Sequence, residues 1–158
     1  MRQTPIVLLF ACLMCGCNAP YNDVPDAELH RRARALPLER RYDFYLEVYA
    51  GSRPHNGIVA DDIVALGDHA WTYSMDQAIA AHNSSDLHAK LLVLQAFDKS
   101  CTVAQYNALV AVAWKHRIDR NDFRYSLGAS RQACGLATGK TVKEDEQQLT
   151  EACKPFGC

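Results

Sequence analysis

Apolar residues recur every three or four positions along most of the chain after residue 24, which is the spacing of a helix with one apolar face. Leu38, Tyr42, Tyr45 and Tyr49 form one such series. Polar residues, glycines or prolines separate the series, and we find no convincing run of the strict alternation typical of a strand. The pattern predicts an all-α fold with helices over residues 25–35, 37–50, 58–66, 68–82, 83–97, 102–114, 121–134 and 144–152.

Residues at the breaks predict where individual helices begin. Asp68 follows a glycine and is expected to cap the fourth helix. Thr102 and Gln105 have the spacing of a capping box, which predicts the start of the sixth helix. Either Asn121 or Asp122 is expected to begin the seventh helix, because both side chains accept hydrogen bonds from free backbone N–H groups.

Short helices joined by short loops pack against their neighbours as antiparallel pairs. Six to eight short antiparallel helices resemble a small HEAT-like domain, but no signature repeats at a fixed period along the chain. An irregular helical bundle fits the same pattern. Both architectures stay open, and the all-α class is common to them.

The first 17 residues have the pattern of an export signal. Arg2 supplies a positive charge, and residues 6–14 form an apolar stretch of nine residues, which is too short to span a bilayer. Residues 13–17, Leu-Met-Cys-Gly-Cys, resemble the lipobox of bacterial lipoproteins, with Gly16 as the small residue before the acylated Cys17. The alternative is an ordinary secretory signal that is cut nearby, for instance after Ala19.

The resemblance implies a lipoprotein precursor that is cleaved before Cys17 and carries acyl chains on that cysteine. By resemblance to lipoprotein sorting, Asn18 favours the periplasmic face of the outer membrane. Residues 1–16 are then the signal peptide, and residues 17–24 a lipidated tether, of which seven extended residues reach roughly 25 Å. Residues 25–136 form the helical domain, and residues 137–158 a polar linker, a short helix and a disulfide-closed tail.

Four cysteines follow the export segment: Cys101, Cys134, Cys153 and Cys158. An even number in an exported chain predicts two disulfides. If successive helices alternate in direction, the fifth and seventh run parallel, and Cys101 and Cys134 lie at the same edge. We therefore predict Cys101–Cys134 and Cys153–Cys158, while the other two pairings stay open.

Composition excludes little beyond nucleic-acid binding. The chain carries 17 basic and 18 acidic residues, and loss of Arg2 with the signal leaves a net charge of −2, whereas a nucleic-acid binder needs a basic face. The six histidines show no two-ligand spacing on one helical turn, so we predict no metal and no cofactor. His82 and His88 flank one loop and are the pair that is closest to such a site.

Residues of catalytic type have simpler interpretations. Asp61 and Asp62 are adjacent on a helix and point about 100° apart, so we interpret them as a solvated face rather than as an acid–base pair. Ser126 and Ser130 lie near part of a Gly-x-Ser-x-Gly pattern, but Gln132 replaces its last glycine and no strand precedes it. We therefore predict no catalytic residue.

Two surfaces are candidate binding sites. One is a basic cluster that would face anionic head groups, and its candidate binding residues are Arg31 and Arg32. Alternatively, the cluster pairs with Glu28, Glu39 and Asp43 as a solvated face. Its members are Arg31, Arg32, Arg34, Arg40 and Arg41. The other joins the aromatic second helix to the loop after it, and its candidates are Tyr45, Tyr49, Arg53 and His55. The same aromatic stripe is alternatively part of the core.

The leading hypothesis is a lipid-anchored interaction module with a protein partner in the periplasm. An immunity or inhibitor protein that neutralises a toxin is one version of it. A cell-envelope hydrolase is the second class, and a structural lipoprotein without a specific ligand is the third. A cleft with converging carboxylates or histidines and shifted pKa values would favour the hydrolase.

Overall fold

A computed structural model describes residues 19–136, apart from 53 and 56, and residues 147–157, apart from 149 and 153. These residues form α-helices and turns without a strand, so the prediction of an all-α fold with six to eight helices is confirmed. The helices are α1 (Asp26–Arg34), α2 (Leu38–Gly51), α3 (Ala60–Val64), α4 (Asp68–Ile79), α5 (Ser84–Ala96), α6 (Val103–His116) and α7 (Arg120–Ala133). Helical residues also occur within 147–152, before a 3-10 turn at Lys154–Phe156.

The capping box at the start of α6 is confirmed, because Thr102 accepts from the backbone N–H of Gln105 and the Gln105 side chain accepts from Thr102. Two other predicted caps are wrong. Gly67, with a φ of 74°, precedes α4 as its N-cap, and Asp68 is the first residue inside the helix. Only a residue without Cβ adopts that backbone conformation easily.

The start of α7 also differs from the prediction. Asp119, and neither Asn121 nor Asp122, caps the helix by accepting from the backbone N–H of Asp122 at 2.8 Å. The Asp122 carboxylate instead accepts from the backbone N–H of Ile118 and from the Ser84 hydroxyl. Asp122 was expected to cap α7 because aspartate is a common helix cap. Its contact with Ser84 of α5 instead makes it part of the packing between the two helices.

The helix α5 lies at the centre of the fold and packs against α3, α4, α6 and α7. Its buried residues include Leu87, Ala89, Leu91, Val93 and Leu94, which point to several sides of the helix. A helix that is apolar on most sides belongs in the interior, where other helices cover each face. Burial of α5 therefore accounts for the arrangement of helices around it.

The helices α5 and α7 run parallel, as the sequence predicted. Contacts between them occur in the same order along both helices: Ser84 with Asp122, His88 with Ser126, and Gln95 with Ala129, at 2.7, 2.7 and 3.3 Å. The chain returns between them through α6, which packs on both. The C-terminal ends of α5 and α7 consequently lie side by side.

A disulfide joins those two ends. Cys101 follows α5 and Cys134 caps α7, and the bond between them confirms the predicted pairing. Gly135, with a φ of 65°, lets the chain turn there, so that the Leu136 N–H reaches the Arg131 carbonyl at 2.9 Å. Cys153 and Cys158 lie outside the described residues, so their pairing stays a prediction.

Residues 19–24 pack on α2 and do not form the extended tether that we expected. Tyr21 is within hydrogen-bond distance of the Gly51 carbonyl, and its ring lies 6.1 Å from that of Phe44, edge to face. A Cβ on Gly51 would approach the Tyr21 ring to 2.6 Å, so the glycine makes room for the tyrosine. The expected reach of 25 Å is therefore wrong for this part of the chain.

No helix of the described residues is long and apolar enough to span a bilayer.

Reduction of the disulfide is expected to destabilise the domain. Cys101 and Cys134 are 33 residues apart, and the chain-entropy model assigns about 3–4 kcal/mol to a loop of that size. Urea unfolding with and without a reductant measures the difference. The Cys153→Ser/Cys158→Ser variant is the control: it keeps the Cys101–Cys134 bond, so reduction should still cost it about 3–4 kcal/mol. A midpoint that reduction leaves unchanged would contradict the role of this bond.

Candidate functional site

Tyr45 is a core residue, so its selection for binding was wrong. Its side chain is fully buried, and its hydroxyl donates a 2.7 Å hydrogen bond to the Ala89 carbonyl of α5. Tyr42 and Val48 are buried on the same side of α2. The helical spacing that suggested an aromatic binding stripe thus marks a face that is turned into the core, where Tyr45 contacts α5 and Tyr42 contacts Tyr73 of α4.

Tyr49, which is half-buried, and His55, which is exposed, come together beside the C-terminal end of α2. Their rings stack with centroids 4.6 Å apart at an angle of 13°, and His55 Nδ1 lies 2.7 Å from the Tyr49 carbonyl. Arg53, the third candidate of this loop, lies outside the described residues. The structure therefore supports an aromatic surface here that begins one helical turn after Tyr45.

Arg31 and Arg32 are exposed on α1, and both bind Glu28 of the same helix at 2.7 Å. Hydrogen bonds from Arg31 and Arg32 hold the pKa of Glu28 at about 2. These contacts match the alternative interpretation, in which the basic cluster is a solvated face with acidic partners. The pairs are exposed, so their contribution to stability is small.

Asp62 is buried, so its interpretation as part of a solvated face was wrong. Its carboxylate lies 2.6 Å from His30 Nδ1 and accepts from Arg34 at 2.7 Å, and its carbonyl accepts from Arg41 at 2.7 Å. Arg41 also binds the Leu36 carbonyl. These contacts join α1, α2 and α3, so this part of the basic cluster stabilises the fold.

A groove of about 340 Å³ lies between α5 and α7, next to Tyr49. We call it the α5–α7 groove. Its α5 wall consists of His88, Leu92 and Gln95. Its α7 wall consists of Arg124, Tyr125, Gly128, Ala129 and Gln132. Burial and the neighbouring Tyr125 raise the pKa of Tyr49, which links the predicted aromatic surface to this groove.

The walls of the groove expose large apolar side chains. Tyr125 is 64% exposed and Leu92 is 37% exposed. Tyr125 was not predicted as a site residue, although the sequence contains a signal for it. Phe123 and Leu127 mark the core side of α7, and a residue two positions from each points to the opposite side. An aromatic residue on the solvent side of a helix indicates a contact surface.

Gly128 lies in the α7 wall of the groove, in the middle of the helix. A glycine inside a helix costs about 0.5–1 kcal/mol relative to alanine. At Gly51 the missing Cβ makes room for Tyr21, whereas no atom lies within 4 Å of the position that a Cβ on Gly128 would take. The described part of this chain therefore leaves the space above Gly128 open.

His88 connects the groove to a polar cluster beneath it. Its Nε2 lies 2.7 Å from the Ser126 hydroxyl and 3.9 Å from an oxygen of Asp122, and its ring meets the Tyr125 ring at 4.6 Å, edge to face. Burial lowers the pKa of His88, and the Asp122 carboxylate opposes that shift in part. His88 thereby positions Tyr125 and joins α5 to α7.

The three side chains differ in arrangement from a serine-hydrolase triad. In a triad the hydroxyl and the carboxylate contact different ring nitrogens, whereas Ser126 and Asp122 approach the same nitrogen of His88. Ser126 is also only 1% exposed. No local pattern in the sequence indicates this contact, because His88 and Ser126 are 38 residues apart. This geometry suits a structural contact between the two helices.

Among the described residues, no three His, Cys, Asp or Glu side chains are placed to hold a metal ion together. Comparison with family models, curated proteins and solved structures found no match for this chain.

Protonation of His88 is expected to destabilise the fold. Because its pKa is lower in the folded protein than the usual 6.5, the unfolded chain binds the proton more tightly. Stability should fall as the pH decreases below about 6.5 and should level off below the folded pKa. Urea unfolding between pH 7.5 and pH 4.5 measures this effect.

The His88→Gln variant should lose less stability than the wild type over that range. His69→Gln, at an exposed position of α4, is the matched control and should keep the wild-type profile. Parallel profiles for wild type and His88→Gln would show that burial of His88 does not oppose its protonation.

Proposed function

We propose that this chain is a lipid-anchored periplasmic lipoprotein whose helical domain is a protein-binding module, with the α5–α7 groove as its docking surface. One observation carries the docking proposal: exposed Tyr125 and Leu92 flank open space above Gly128. Exposed aromatic side chains around a concave apolar surface are typical of interface centres.

The anchor is supported by the resemblance of residues 13–17 to a lipobox and by the cysteines of the folded part. The Cys101–Cys134 bond fits an oxidising compartment such as the periplasm. Because residues 19–24 pack on α2, only Asn18 separates Cys17 from the described fold. An acylated Cys17 would hold the helical domain next to the membrane surface.

The groove suits docking because its two walls are already fixed. The polar contacts between α5 and α7 and the disulfide at their ends hold the helices in place. Binding of a partner in such a groove requires little further ordering of this chain, so the entropic cost of binding is small. The stacked Tyr49–His55 pair, in which His55 is exposed, extends the same surface toward α2.

Acylation at Cys17 is tested by labelling cells with radioactive palmitate. We expect the wild type to incorporate the label and the Cys17→Ser variant to lose it and to accumulate at precursor size. Cys15→Ser is the matched control, two residues away, and should still be labelled. Label that remains on Cys17→Ser would contradict the anchor.

Docking in the α5–α7 groove is tested by photo-crosslinking in intact cells. A benzophenone amino acid in place of Gln132, at the exposed edge of the groove, should give one dominant adduct with an envelope protein, identified by mass spectrometry. Tyr125→Ser in the same chain should reduce that adduct at least about tenfold, because it removes an aromatic anchor.

The same benzophenone in place of Ile118 is the matched control, since Ile118 is 82% exposed and does not line the groove. It should not give this adduct. Equal adducts from both positions, or an adduct that Tyr125→Ser leaves unchanged, would contradict docking in the groove.

A further inference from the structure

We propose that one face of the domain rests against the lipid headgroups of the membrane that carries the anchor. This face, which we call the anchor-side surface, consists of residues 19–22 together with Pro54 and His55. The inference rests on the proposed acylation of Cys17 and goes beyond it, because it assigns the side of the fold that meets the bilayer. It follows from the short link to Cys17, from the fixed position of residues 19–22 and from the chemistry of the surface.

The link between Cys17 and the fold is too short for the domain to move away from the bilayer. Asn18 alone separates Cys17 from Ala19, the first residue that the structure describes. Two residue steps span at most about 7 Å, even when they are fully extended. Because headgroups occupy about 5–8 Å on each side of the hydrocarbon core, Ala19 lies in or just outside the headgroup layer. Surface residues around Ala19 are then within reach of lipid.

Hydrogen bonds and packing fix the residues that follow Ala19. The backbone N–H of Asn22 donates to the Ala19 carbonyl at 3.0 Å, which closes a turn, and the Tyr21 hydroxyl donates to Glu47 at 3.3 Å. The Tyr21 ring covers Gly51, where a Cβ would approach it to 2.6 Å. The turn is therefore part of the surface of α2, and the anchor holds the domain by this side.

The loop after α2 lies beside the turn and completes the surface. Pro54 and His55 are exposed and border, with Tyr21 and Asn22, a cleft of about 420 Å³. His55 is held there, because its Nδ1 lies 2.7 Å from the Tyr49 carbonyl and its ring stacks on the Tyr49 ring. The turn and the loop are thus neighbours on one side of the fold, so both approach the bilayer together.

The side chains of the anchor-side surface suit the headgroup layer. Pro20 and Pro54 are exposed and uncharged, and Tyr21 has an amphipathic ring of the kind that is enriched at membrane–water interfaces. Burial of the acyl chains supplies the binding free energy, so the surface needs no affinity of its own. Because the neighbouring Asp23 and Asp26 are acidic and exposed, the contact should not require anionic lipids.

A paramagnetic lipid tests the contact directly. The acylated, isotope-labelled protein is placed in phosphatidylcholine nanodiscs in which a few lipids carry gadolinium on the headgroup. We expect the amide NMR signals of Tyr21, Asn22 and His55 to be lost, because gadolinium broadens the signals of nearby nuclei. Ala111 is the control, since it is exposed in the middle of α6, which packs on α4, α5 and α7, and its signal should remain.

Variants separate the effect of the short link from a general affinity for lipid. A spacer of about seven glycine and serine residues between Asn18 and Ala19 adds a reach of roughly 25 Å when it is extended. It should keep the palmitate label and restore the His55 signal. Tyr21→Ser removes the ring that packs on α2 and should restore part of that signal. Asp23→Ser, at an exposed position two residues away, is the matched control and should leave the loss unchanged.

The outcomes distinguish this inference from the anchor. Equal loss of the His55 and Ala111 signals in a palmitate-labelled chain overturns the assigned orientation and leaves the acylation of Cys17 standing. A sharp His55 signal in that chain also overturns it, and water or a protein partner then covers the surface. Selective loss that the spacer does not relieve contradicts the role of the short link. If Cys17 takes up no palmitate, the anchor and this contact both fail.

Discussion

The parallel contact between α5 and α7 is the interaction on which the remaining structure depends. The helix α5 is buried on several sides, and α7 covers the side that ends at the disulfide. Parallel neighbours need a connection that runs the length of the pair, and α6 provides it while packing on both helices. Two side-chain contacts, Ser84 with Asp122 and His88 with Ser126, fix the register of the two helices, because both join residues that are 38 positions apart.

The proposed docking surface is a consequence of that register. The alignment places Leu92 of α5 opposite the Tyr125–Gly128 turn of α7, and the groove forms between them. His88 contributes to both the interior and the surface, since one atom of its ring meets Ser126 while the ring contacts Tyr125. Fold stability and groove shape are therefore coupled through the same side chains.

The sequence predicted the helices well because helical spacing and caps are local properties. Thr102 and the Cys101–Cys134 pair were predicted correctly, the first from a capping box and the second from alternating helix directions. Residues whose role depends on distant contacts were misjudged. Asp62 looked solvated because its partners His30 and Arg34 lie about 30 positions away, on another helix. The groove was missed for the same reason, since its two walls are brought together only by the packing of α5 on α7.

A nuclear Overhauser spectrum of the isotope-labelled protein tests the parallel contact most directly. We expect cross-peaks between Ser84 and Asp122 at the N-terminal ends of α5 and α7, and between Gln95 and Ala129 near their C-terminal ends. Cross-peaks in the reverse order, with the start of α5 beside the end of α7, would contradict the account and with it the groove.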